Sequence, residues 1–119
     1  MVATHYRLRK KSDIDFVYKH GRKVYQPLLG VVYCSGQTDV TRVTVIVSQR
    51  VAKHAVDRNK IKRRIRAALA DRLPQLSASK GAPYDIIIIA QPKSRSVHHI
   101  ELANELDALF TRAKVYAGN

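Results

Sequence analysis

The rhythm of apolar and polar residues changes repeatedly along the chain, and each change predicts an element. Ile14, Phe16, Val17 and Tyr18 lie between a Ser12 or Asp13 able to cap and a Gly21 able to stop, which predicts a short helix. Residues 23–25 form a brief strand before Pro27. Residues 28–34 are an apolar run too short for a normal helix, and their Val and Tyr content favours a strand. Turn residues occupy 35–39. Beyond them Val43, Val45 and Val47 alternate with Arg42, Thr44 and Ile46, a two-residue period that predicts a strand over 41–48, paired as a hairpin with the preceding one.

From residue 55 the period becomes helical and runs to Leu73, where Pro74 is expected to end it, leaving 74–83 as loop. Residues 84–90 contain four consecutive isoleucines, a pattern that suits a strand covered on both faces. A polar loop over 91–96 leads to an amphipathic helix over 98–113, with Leu102, Leu106, Leu109 and Phe110 facing inward. The order is helix, two or three strands, helix, strand, helix: an α+β sandwich with helices against one sheet. The 119 residues suit a single domain spanning 1–119, with the basic segment 1–10 and the tail 115–119 expected to move.

Composition changes the picture at one point. Apolar residues make up 45% of the chain, enough for a core, but 22 Lys and Arg stand against 9 Asp and Glu, a formal net charge of +13. So large an excess calls for a polyanionic partner. A membrane is the weaker candidate, because no apolar run approaches the roughly 18–20 residues of a spanning helix and residues 1–11 lack the apolar stretch of a secretory signal. Cys34 is the only cysteine, which excludes an intrachain disulfide and fits a reducing cytoplasm; its apolar surroundings predict a buried thiol.

The cations concentrate on the central helix. Ile61, Ile65, Ala68 and Leu69 fall within an arc about 100° wide, a coherent buried stripe. Arg58, Lys62 and Arg66 follow one flank, Arg63 points outward, and Lys60 and Arg64 take the other flank. Six of the nine residues from Arg58 to Arg66 are cationic, with no acid among them. A solvated helix face normally mixes signs. Here Arg58/Lys62, Lys62/Arg66 and Lys60/Arg64 are like-charge neighbours one turn apart, each costing roughly 0.2–0.5 kcal/mol in an isolated helix. The cations also crowd the helix N-terminus, where the macrodipole favours anions, and only Asp57 obeys that preference. A sequence that accepts both penalties matches an external line of phosphates, gripped bidentately by Arg and as point charges by Lys. Asn59 adds a donor and an acceptor suited to a sugar hydroxyl or base edge.

The residues from Val47 to Arg66 closely resemble the signature of the bacterial ribonuclease P protein component. In that family a V-S-x-[KR] strand end leads into A-V-x-R-N-R-x-K-R-x-x-R. The match falls at Val47, Ser48, Arg50, Ala55, Val56, Arg58, Asn59, Lys62, Arg63 and Arg66, with Lys60 where arginine is usual. Arg7-Leu8, Ile14 to Tyr18 and Gly21 are similar to the family's opening, with Ile14 in place of a common phenylalanine. Tyr84 to Ala90 is similar to its last strand, with Gln91 in place of arginine, and the helix from Glu101 to Phe110 also fits.

The resemblance implies a four-stranded mixed sheet in an αβββαβα sandwich, with a left-handed crossover between parallel strands joined by the basic helix. It implies that catalysis belongs to an RNA subunit, which binds magnesium and removes the 5′ leader of precursor tRNA. The basic helix, through Arg58, Asn59, Lys60, Lys62, Arg63 and Arg66, would dock on that RNA. A groove between sheet and first helix would hold the single-stranded leader, with Ile14, Tyr18, Tyr33 (or Val32, one register away), Ser48 and Arg50. Arg7, Arg9 and Lys53 would add basic contacts, and no obligate protein partner is evident.

No catalytic residue or metal site of the chain's own is expected. Its acids are scattered; Glu101 and Glu105, one turn apart, read as a solvated flank, and the adjacent His98 and His99 as a helix start. His5, His20 and His54 stand alone, and nothing has a zinc spacing. The alternatives are a ribosomal or other structural RNA-binding protein, which shares the charge without a leader groove, and a stand-alone nuclease.

Overall fold

A computed structural model describes residues 6–78 and 81–115. Helix α1 (Lys11–His20) is followed by strands β1 (Arg22–Tyr25), β2 (Leu29–Ser35) and β3 (Arg42–Ile46). Helix α2 (Ala55–Ala70), short helix α3 (Leu73–Ser77), strand β4 (Tyr84–Ala90), a 3-10 turn (Pro92–Ser96) and helix α4 (His99–Ala113) complete the chain. The single α+β domain and its mixed four-stranded sheet agree with expectation.

The sheet order β1-β2-β4-β3 corrects one expectation: β2 and β3 do not form a hairpin. β4 lies between them, antiparallel to β2 and parallel to β3. The physical reason is in the side chains. Ile86, Ile87 and Ile88 are fully buried, so β4 needs cover on both faces and neighbours on both sides. β3 buries Val43 and Val45 on one face and carries Arg42 and Thr44 beside Ile46 on the other, and so tolerates the edge. That edge is itself paired: the Leu8 N–H donates to the Val43 carbonyl at 2.8 Å, and Arg7 bridges Val43 in parallel. The segment 7–11 is thus more than a basic approach, since Leu8 is buried.

Two cores result. Val31, Val43, Val45, Ile86 and Ile88 pack against α2, α3 and α4, where Ile61, Ile65, Ala68, Leu69, Leu102, Leu106, Leu109 and Phe110 are all buried as expected. On the opposite face Val32 and Ile87 meet Val17 of α1 and Leu8, with Ile14, Cys34, Ile46 and Ile89 partly buried around them.

Other boundaries shift for local reasons. α2 stops at Ala70, and Pro74 enters the first turn of α3, where its missing N–H costs nothing, so 74–83 is not all loop. α1 has no side-chain cap; Asp13 sits in its first turn and pairs with Arg42 at 3.3 Å instead. Cys34 is half-buried, and burial followed by the charge of Asp85 pushes its thiol pKa up. Glu105 is not a free flank residue: its carboxylate accepts the Leu28 N–H at 2.7 Å. Val115 of the expected tail is buried, while 116–119 and 1–5, His5 included, lie outside the described residues.

Candidate nucleic-acid interface

The parallel β3–α2–β4 arrangement sets the basic helix across one face of the sheet. Its apolar stripe faces the core, so every cation is displaced to the rim or the outside. Asn59, Lys60, Arg63 and Arg64 are exposed, while Arg58, Lys62 and Arg66 are half-buried along the flank. Val56 is 66% exposed and shares a shallow recess with Asn59, Arg63 and Arg66, one line of side chains along the outer face of the helix. No acidic side chain lines that recess.

Arg66 also closes a second recess, of about 120 Å³, together with Arg7 and Arg9 over Val43, Thr44 and Val45. The expected additional contacts Arg7 and Arg9 are therefore brought beside the helix by the pairing of the N-terminal segment with β3. Burial, and then the nearby charge of Arg7, lower the pKa of Arg66, the signature of cations crowded where water is scarce. A phosphate placed there would offset the repulsion between the two cations.

Arg58 behaves differently from its row. Its Nη1 donates to the carbonyls of Lys53 at 2.7 Å and Ala52 at 3.1 Å, tying the helix to the turn before it. Nε and Nη2 still have donors to offer. That turn begins where the Val51 and Ala52 N–H groups donate to the Ser48 carbonyl, leaving Ser48, Gln49, Arg50 and Lys53 exposed at the helix entrance. Ser48, Arg50 and Lys53 are thus neighbours of the basic helix.

The expected groove residues separate. Ile14 and Tyr18 lie on α1, Ile14 packed toward the sheet and Tyr18 at the rim. Tyr33 faces away: it packs on the α4 side, donates its hydroxyl to the Ala113 carbonyl at 3.0 Å and meets Tyr84 edge to face. This corrects its placement in the groove. Val32, the alternative register, does face α1 but is completely buried.

The aromatic surface on the α1 face comes instead from residues the sequence reading passed over. Tyr25 is 48% exposed and lies across Gly30, where a Cβ would run into its ring. Burial, and then proximity to Tyr25, raise the pKa of the Tyr18 hydroxyl, so the two tyrosines share one ledge. Phe16, 42% exposed, stacks against His20 with ring centroids 4.5 Å apart. The signal for Tyr25 was its place opposite a glycine, visible only once the β1–β2 register is known.

Among the described residues no group of three His, Cys, Asp or Glu is placed to hold a metal ion, and no helix is long and apolar enough to cross a membrane.

Comparison with known proteins agrees with the geometry. The family model described as Ribonuclease P matches residues 2–114. The ribonuclease P protein component of Streptomyces griseus is 37% identical over 122 residues, covering 94% of each chain. That of a Synechocystis species is 33% identical over 110 residues, 92% of this chain and 86% of its own. The solved RNase P protein of Staphylococcus aureus superposes with a TM-score of 0.80 at 31% identity, over 93% of this chain and 97% of that one. Matched by the family model across nearly its whole length, and by relatives that it covers almost end to end, the chain belongs to the ribonuclease P protein family.

Proposed function

We propose that this protein is the RNA-binding subunit of a ribonuclease P, docking on a catalytic RNA through α2 and receiving the 5′ leader of precursor tRNA beside α1. The observation that carries the reading is the outer face of α2: Asn59, Arg63 and Arg66 in one line, continued by Arg7 and Arg9, with no acid between them. Such an array follows a phosphate backbone. Chemistry then belongs to the RNA, with magnesium held mainly there, and four of the chain's acids serve the fold instead. Asp13 and Asp85 hold Arg42, Asp107 holds Arg72, and Glu105 holds the backbone of Leu28 and Leu29. The cytoplasm, where precursor tRNA is made, is the compartment this role requires.

On the α1 side, Tyr18 and Tyr25 offer aromatic faces on which unpaired bases stack without regard to sequence, as a leader of variable sequence demands. Arg50 and Ser48 lie beyond the end of β3. Protein alone, RNA subunit alone and the two mixed should be assayed on precursor tRNA at low magnesium. Only the mixture should cleave efficiently; cleavage by protein without RNA would restore the stand-alone nuclease, and no enhancement of the RNA would favour a structural RNA-binding protein. Tyr18→Ala should weaken precursor tRNA binding by the assembled enzyme by roughly 1–3 kcal/mol, the worth of one base stacked on an aromatic ring, and leave mature tRNA unaffected. Equal weakening of both would move the leader site elsewhere.

A further inference from the structure

The flank of α2 turned toward α4 carries a second cationic cluster that the reading above does not use. Arg64 lines one recess with Arg95 and Ser96 of the 3-10 turn and with His98 and His99 at the start of α4. No acid lines this recess, and none of its four basic side chains takes part in an ion pair among the described residues. Arg64 and His99 also border an adjoining groove between α2 and α4, where Ala67, Ala68 and Ala103 leave an apolar strip open. The single acid on that groove is Asp71, beside Arg72, whose guanidinium is already held by Asp107 at 2.8 Å.

A cationic pocket joined to an apolar slot has the polarity of one nucleotide. A phosphate suits the Arg64, Arg95 and His98 end, away from Asp71. A base suits the alanine-lined slot, with the His99 imidazole and the Arg64 guanidinium as flat partners at its mouth. Bases inside a duplex cannot present their faces, so the ligand must be unpaired. Arg64 stands about 160° around the helix from Arg66, so one phosphate cannot serve both flanks.

We propose that Arg64, Arg95, His98 and His99, with the alanine-lined slot beside them, form a second site that takes an unpaired nucleotide of single-stranded RNA. This rests on the chain's being an RNA-binding protein; Arg63 of the docking face borders the slot, but Arg64, Arg95, His98 and His99 belong neither to that face nor to the leader ledge. α2 is then held between two RNA segments.

The test uses the full chain and a short oligoadenylate. Adding it should shift the His99 ring-proton NMR signals, and Ala67→Glu, which places a charged chain in the slot, should abolish that shift and weaken binding about tenfold. Arg64→Ala with Arg95→Ala should lower the log–log salt slope by about 0.7, the contribution of the one phosphate they share on a single strand. A photocrosslinker at position 67 then reports whether the strand in the assembled enzyme comes from the RNA subunit or from precursor tRNA; crosslinking to neither overturns the site. A motionless His99 signal and an unchanged slope, while Lys62→Ala with Arg66→Ala still weakens RNA binding, would overturn this site and leave the docking face standing. Absence of salt-sensitive RNA binding by the wild-type protein would overturn both.

Discussion

Asp85 is the residue whose surroundings constrain it most. It is 0% exposed, yet its carboxylate accepts Arg42 Nη2 at 2.8 Å, Arg42 Nε at 3.0 Å and the Gln37 N–H at 3.2 Å. Arg42 reaches on to Asp13, so one guanidinium ties α1, β3 and β4 together. The bond to Asp85 raises the Arg42 pKa despite partial burial. Asp85→Ala should therefore destabilise the protein by about 3–5 kcal/mol in urea unfolding, because it strands a desolvated cation. Arg42→Met combined with Asp85→Leu should recover much of that loss; a double variant no better than the single would show that the carboxylate's bond to the Gln37 loop is what matters. This network was not legible in the chain, where Asp13, Arg42 and Asp85 are far apart and each reads as an ordinary surface charge. A structural role of Arg58 was hidden for the same reason: its Nη1 holds the backbone carbonyls of Ala52 and Lys53, which leave no mark in a side-chain pattern.

At the scale of elements, α2 and β3 were legible as helix and strand, but the partner of β3 was not. A three-to-four residue period places Ile61, Ile65, Ala68 and Leu69 inward without any knowledge of what they meet, and the structure buries all four. Strand neighbours depend on pairings across long separations, which no local period encodes. Hence the hairpin expected between β2 and β3 is replaced by β4, and the pairing of Leu8 with Val43 went unseen. The Tyr33 placement failed by one residue of register, which in a strand means the opposite face. The docking face built on α2 makes a quantitative claim. Lys62→Ala and Arg66→Ala should each lower the log–log salt slope for binding structured RNA by about 0.9, without loss of helix content. Arg58→Ala should in addition cost stability, by roughly 1 kcal/mol, through the hydrogen bonds it gives the preceding turn. A slope unchanged in Lys62→Ala and Arg66→Ala would place those side chains in solvent.

For the whole molecule the governing quantity is charge against size. A net charge of +13 is confined within a radius of gyration of 13.1 Å. At roughly 10 mM salt the screening length is about 30 Å and spans the entire protein; at roughly 150 mM it is about 8 Å and does not. Self-repulsion should therefore be strongest at low ionic strength, and the thermal midpoint should climb as sodium chloride is added over that range. Most of the ion pairs that salt would weaken are partly buried, Arg42 with Asp85 foremost, so they offset little of the gain. A midpoint that fell with added salt, measured by calorimetry, would mean that attraction outweighs repulsion among the fixed charges.

The interposed position of β4 has a bearing on synthesis. A ribosome delivers the chain from the N-terminus, so the first three strands and the whole of α2 emerge before the strand that unites them. Until Tyr84 to Ala90 arrives, β3 has no partner except the few residues around Leu8, and the isoleucine stripe of α2 lacks the central strand it packs over. The newborn polycation is thus exposed to every nearby polyanion while still unassembled, and its tertiary structure must close late and as a unit.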